Sequence, residues 1–323
     1  MDTKTTLLYA TLPVWNTVFS LISKSTLGEI GAKSYTATVL MITAMLSLFY
    51  NYFSGVKTKI NLYSILAGCS FGIATLFFEE AVHIAKNPGI VNGLYRSQAA
   101  LTAVVSVFLL GSHLSYTSMF GVLLTVMGAF VIGLYKRKRI IEPYEPGIIE
   151  RLVDEKNKRD EIKEKEKTIE DRGAHERSKW LPLVLIAGVL ATIKDISAVY
   201  SVRGGKMKPS SFVFSQCFFG ALMVMLYQYF TSGNLLPELR KDGNWKDAAI
   251  GITSAGLDNF LWCGVLIYLM SNARNPAYPK AVTMLGIPLT ALVAPFLFDV
   301  KFPDSTQWGG IASVVAGIGL LAF

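Results

Sequence analysis

Apolar runs recur along this chain near 6–23, 35–53, 62–84, 89–110, 117–135, 180–201, 210–231, 247–270, 279–298 and 306–323. Each approaches or exceeds the roughly 20 residues that a helix needs to cross a hydrocarbon core of about 30 Å. In lipid the backbone polar groups must bond within their own segment, and runs this long and continuous are not barrel strands. The pattern therefore predicts an all-α integral membrane protein with ten transmembrane helices. Composition agrees, since 52% of the 323 residues are hydrophobic, a fraction hard to reconcile with a water-facing surface.

A formal charge of +8 would point to nucleic acid in a water-soluble domain. In a membrane protein basic residues collect in cytosolic loops and at headgroups, so the lipid bilayer is the expected partner and nucleic acid is not. Cys69, Cys217 and Cys263 all lie inside apolar runs without CxxC spacing, and they read as packing residues. No metal and no cofactor is expected. The first run follows Met1–Thr6 with no small-residue cleavage signature after it, so it is expected to be a retained span.

Composition changes abruptly at Lys136-Arg137-Lys138-Arg139, which opens a charged hydrophilic segment running to Lys179. The expected organisation is a first five-helix unit over 1–135, a linker over 136–179 and a second five-helix unit over 180–323. Mixed charges at this density form a solvated helix or stay disordered, and a tether is the plain reading. The two units share a pattern. Sliding Asn87-Pro88 onto Asn275-Pro276 brings Leu101-Thr102-Ala103 onto Leu289-Thr290-Ala291 and Phe108-Leu109 onto Phe296-Leu297. After one inserted residue, Gly121 meets Gly310 and Gly128 meets Gly317. An odd number of spans per unit makes the second copy enter the bilayer in the opposite sense, which predicts inverted repeats about an internal pseudo-two-fold axis.

In these features the sequence resembles the drug/metabolite transporter superfamily, in particular its EamA-like ten-helix branch. The likeness is carried by Asn275-Pro276-Ala277, by Pro288-Leu289-Thr290-Ala291 and by the glycines from Gly309 and Gly310 to Gly317 and Gly319. Ala100 stands where Pro288 would set a proline, and the linker is longer than compact members carry. The resemblance implies a cavity between the first four spans of each unit, with the fifth and tenth as peripheral packing helices. It also implies cytosolic termini with the linker on the far side, whereas Lys136–Arg139 argue for a cytosolic linker.

An ionisable residue near a helix centre costs at least about 2.5–3.5 kcal/mol on insertion scales, so it turns toward a cavity or a partner. Arg96, Lys194, Asp195, Asp258, Glu79 and Glu80 qualify. Lys194 and Asp195 are adjacent, hence about 100° apart around the helix, and at least one is expected to seek another helix. Arg96, helped by Tyr95 and Gln98, is read either as the holder of an anionic substrate group or as the partner of Glu79 or Glu80 in a structural ion pair. Asp258, near the middle of its span, is read as a proton-coupling or cation-binding carboxylate, or as a partner for Lys194. The family likeness adds Asn16 to the lining. Lys280 and Tyr278 are placed at the mouth of the ninth span, where snorkelling to the headgroups is the favoured reading and contact with substrate at the cavity mouth the lesser one. Gly68 and Gly72 form a GxxxG that permits close helix approach.

The expected function is alternating-access transport, by export or exchange, of a small polar organic metabolite, amino acid-like or anionic and phosphorylated. The competing readings are a polytopic enzyme acting on a lipid diphosphate, and a non-transporting receptor or channel. HExxH does not occur, and His83, His113 and His175 do not cluster with metal ligands, so no catalytic residue is assigned. A monomer or homodimer is expected, in a cell inner or plasma membrane or an organelle membrane.

Overall fold

The computed structural model describes residues 3–85, 91, 94–95, 97–134, 179–234, 243–283, 285–297, 302 and 304–322. Among the described residues the helices are α1 (Thr3–Thr26), α2 (Ala32–Phe53), α3 (Leu62–Ile84), α4 (Gln98–Leu110) and α5 (Tyr116–Leu134). After the linker come α6 (Lys179–Gly204), α7 (Pro209–Ser232), α8 (Trp245–Asn272), α9 (Ala277–Thr283), α10 (Gly286–Leu297) and α11 (Ser305–Ala322). Helices α1, α2, α3, α6, α7 and α8 are each long and apolar enough to cross a membrane. The chain is a multi-pass membrane protein, helical throughout its described spans. Arg96, the Asn87-Pro88 turn and linker residues 136–178 lie outside the described residues.

Local chemistry sets where the helices start and stop. Asn61 Oδ1 accepts from Ser64 N (2.8 Å) while Asn61 N donates to Ser64 Oγ (3.0 Å), a reciprocal cap that opens α3. Pro209 occupies the first turn of α7, where its missing N–H is not needed. Gly111 (φ 62°) and Gly233 (φ 71°) terminate α4 and α7 in the left-handed conformation that glycine takes most readily. Asn275 Oδ1 accepts from Ala277 N (2.9 Å) at the start of α9 and from Ser106 Oγ of α4 (3.2 Å).

The expected continuous ninth span is instead two helices, α9 and α10. Pro288 has no N–H to return to the preceding turn, and Gly286 adds no helix-stabilising side chain, so the hydrogen-bond ladder breaks between them. Side chains of α1 satisfy carbonyls at the break: Asn16 Nδ2 donates to Thr283 O (3.2 Å) and Thr17 Oγ1 to Gly286 O (3.2 Å). Backbone freed inside an apolar bundle needs such partners.

Helices from either side of the linker pack on one another. The strongest association joins α5 to α11, followed by α7 with α2 and α3, then α8 with α1 and α2. Small residues allow the approach. A Cβ on Gly72 would lie 2.4 Å from Gly220 O, and one on Gly68 would lie 2.6 Å from Phe219 Cβ and 2.8 Å from Gln216 O. Across α2 and α8, a Cβ on Gly256 would lie 2.6 Å from Ile42 Cγ2 and 3.7 Å from Val39 O. Between α5 and α11, one on Gly128 would lie 2.7 Å from Gly310 O, and one on Gly317 would lie 2.6 Å from Gly121 O. Van der Waals contact at this range holds helices together where burial from water does not.

Candidate functional site

The interior holds a compact charged cluster. Asp195 of α6 lies 2.8 Å from Lys194 Nζ through one carboxylate oxygen and 2.6 Å from Lys280 Nζ of α9 through the other. All three side chains are buried. Lys194 and Asp195 do pair, against the expectation from their angular separation, because the four-carbon lysine stem swings its ammonium across to the neighbouring position. Asp195 also finds a partner on another helix, as expected. Lys280 does not snorkel: Asp195 holds it inside, at 1% exposure. Tyr278, two residues earlier, is half-buried.

The cluster carries two cations against one anion. Gln98 of α4 adds a neutral partner: with its amide oriented to satisfy both ends, its oxygen accepts from Lys280 Nζ (3.0 Å) and its nitrogen donates to Gly188 O (3.0 Å). Lys194 Nζ also sits 5.1 Å from the centroid of the Phe71 ring, within cation–π range. An ion pair stripped of water is held by geometry and by the bonds around it.

Beside Phe71 lies a central cavity of about 30 Å³, lined on its polar side by Asn16, Thr75, Tyr95 and Asn259. That is room for about two water molecules. Tyr95 packs on Phe78 with ring centroids 4.6 Å apart, and Phe19 and Trp262 complete an aromatic wall. Among the described residues the cavity lined by these helices is small. Both ends of the bundle are bridged as well. At the end where α2 begins, Asn244 N donates to Glu29 (2.7 Å) and Lys33 Nζ to Thr231 Oγ1 (2.7 Å). Beyond the other end of α2, Lys59 N donates to Ser211 Oγ (2.7 Å), Ser201 Oγ to Asn61 Oδ1 (3.1 Å) and Tyr200 Oη to Leu109 O.

Asp258 is 4% exposed and does not pair with Lys194. Neither of its oxygens meets a hydrogen-bond partner among the described residues. Glu79 is buried on α3 and accepts from Ser23 Oγ (3.3 Å), which is itself bonded to Tyr35 Oη (2.8 Å). Glu80 is half-buried. The Arg96 readings fall outside the described residues. The structure therefore brings Asn16, Tyr95, Gln98, Lys194, Asp195 and Lys280 to one region, with Asp258 close by on α8. Sequence reasoning missed Asn259 and Trp262, although their places one and four residues after Asp258 put them on neighbouring faces of one helix.

Two further basic residues cap helices. Lys24 Nζ donates to Val82 O (3.0 Å) and Ala85 O (3.2 Å) at the end of α3. Arg203 donates to Met270 O (3.1 Å), Ser271 O (2.8 Å) and Ala273 O at the end of α8. Cations at helix C-termini offset the partial negative charge there.

No protein-family model and no curated protein matches this chain. Among solved structures, one described only as the crystal structure of a protein covers 99% of this chain and 98% of its own length, with a TM-score of 0.64 at 16% identity. This likeness establishes that the whole chain follows a fold seen before.

Proposed function

We propose that this chain is an alternating-access carrier for a small polar organic solute bearing a carboxylate or phosphate, of the ten-span kind seen in the EamA-like branch of the drug/metabolite transporters. The observation that carries the reading is the Lys194–Asp195–Lys280 cluster, charged, buried and drawn from two helices beside the central cavity. Ionisable groups inside an apolar bundle mark substrate and ion pathways, and ammonium groups there suit an anionic solute. Lys280 stands on α9, just before the helix break, and discontinuous helices near the middle of a bundle are a recurring way to build carrier sites.

The paired contacts support an inverted repeat. In the register that sets Asn87 on Asn275, Gly68 falls on Gly256, Val82 on Met270 and Ala85 on Ala273. Lys24 on the carbonyls of Val82 and Ala85 is then mirrored by Arg203 on those of Met270 and Ala273. Gly68 against Gln216 and Phe219 is mirrored by Gly256 against Val39 and Ile42. Gly128 against Gly310 is mirrored by Gly317 against Gly121, the reciprocity that a two-fold relation requires. By the register that sets Lys24 on Arg203, Asn16 corresponds to Asp195. Equivalent places thus carry an amide in one half and a carboxylate in the other. The repeat frames the site and the second half supplies its charge.

With contacts bridging both ends and a central cavity of about 30 Å³, the solute enters after one set of end contacts parts. Counterflow tests the reading. Proteoliposomes carrying the protein are preloaded with an unlabelled carboxylate, amino acid or sugar phosphate, and uptake of the same labelled compound is followed. Preloading is expected to accelerate uptake for at least one anionic compound. Flux that ignores preloading would mark a channel, and no flux for any of the panel would remove the anionic solute.

A further inference from the structure

We propose that Asp258 is a proton-binding site, protonated in this closed conformation and released to water when the bundle opens. The release step rests on the alternating-access reading; the protonated state does not.

Three observations converge on this carboxyl. It is 4% exposed, and neither oxygen has a hydrogen-bond partner among the described residues. It stands beside the central cavity, since Asn259 follows it and Trp262 lies one turn along α8, and both line that space. Among the described residues every neighbouring basic group is committed elsewhere. The helices packed on α8 are α1, α2, α7 and α9. From α1, Lys24 is bound to the carbonyls of Val82 and Ala85, and Tyr9 is a neutral phenol nearer the start of the helix. From α2, Tyr35 faces Asp258 and bonds to Ser23, while Lys33 bonds to Thr231 near the bundle end. From α7 comes Cys217, which touches Cys263 of α8, a thiol that also faces Asp258. From α9, Lys280 is paired with Asp195.

An ionised carboxylate in such a place would forgo both hydration and any counter-charge, and a group in that position takes a proton instead. The O–H bond forms on one carboxyl oxygen, and the proton comes from and returns to water at whichever end is open. The Lys194–Asp195–Lys280 cluster is unsuited to this task, because each ammonium there stabilises the ionised aspartate. The two sites therefore divide the work: the cluster meets the charge of the solute, and Asp258 carries the proton.

Infrared difference spectra of the purified protein at neutral pH test the first half of the proposal. The wild-type spectrum minus that of D258N is expected to show a protonated-carboxyl stretch, and Asp258→Glu is expected to shift it. Ionised-carboxylate bands in its place would overturn the proposal, and the Glu variant reads the same band if the Asn variant does not fold. In proteoliposomes, an imposed pH gradient is expected to drive wild-type accumulation of the transported anion, and D258N is expected to lose that drive while keeping counterflow. Gradient-driven accumulation that survives in D258N would overturn the coupling role. A protonated-carboxyl band in a protein without counterflow would leave the proton site standing and remove the carrier reading.

Discussion

Asp195→Asn is expected to lower the stability of the detergent-solubilised protein by about 3–5 kcal/mol, the range seen when one partner is taken from a buried ion pair. The substitution keeps the shape of the side chain and removes the charge that holds Lys194 at 2.8 Å and Lys280 at 2.6 Å. Two ammoniums would then share a dry site with no carboxylate between them. Lys280→Met should cost clearly less, since it leaves Lys194 and Asp195 as a balanced pair. The double variant should recover part of the loss from Asp195→Asn, because it removes one of the two stranded cations. Chemical unfolding of the four proteins measures this. Equal losses for the two single variants would contradict this ranking.

A second large effect is expected at Gly72. Its Cβ would stand 2.4 Å from Gly220 O, and the obstacle is backbone, so no rotamer change relieves it. Gly72→Val should push α3 away from α7 and lower stability by at least the roughly 1–3 kcal/mol typical of overpacking. The same shift moves Phe71, Thr75 and Phe78, which line the central cavity, so transport should fall together with stability. Gly264 on α8 is the control, since nothing lies within 4 Å of a Cβ built there. Gly264→Ala should leave stability unchanged or raise it by up to about 1 kcal/mol through helix propensity.

Much of the architecture was legible in the sequence because hydropathy reports the length of a span directly. The runs at 62–84 and 247–270 match α3 (Leu62–Ile84) and α8 (Trp245–Asn272) within two residues. Burial of Asp195 and Asp258 was legible for the same reason, since a carboxylate inside an apolar run has few places to go. The break between α9 and α10 was hidden, because hydropathy is blind to a lost backbone bond, and only Gly286 and Pro288 hinted at it. Lys280 was misplaced because a lysine near the start of a span has two fates, and what decides between them is a carboxylate brought close from α6. The orientation of Lys194 depended likewise on side-chain reach, which a helical wheel does not contain. The glycine contacts of Gly68 and Gly72 were foreseen in kind, but not their partner Gly220, which only the assembled bundle supplies.

The central claim is that two halves move about a buried charged site, opening one end of the bundle while closing the other. Spin-label distances in proteoliposomes measure this directly, with one label pair at Ser25 and Lys246 near the Glu29–Asn244 bridge and another at Lys57 and Lys208 near the Lys59–Ser211 bridge. Adding a transported anion or changing pH should lengthen the distance at one end and shorten or hold it at the other. Lengthening of both distances together, or no change in either under conditions that support counterflow, would contradict the account.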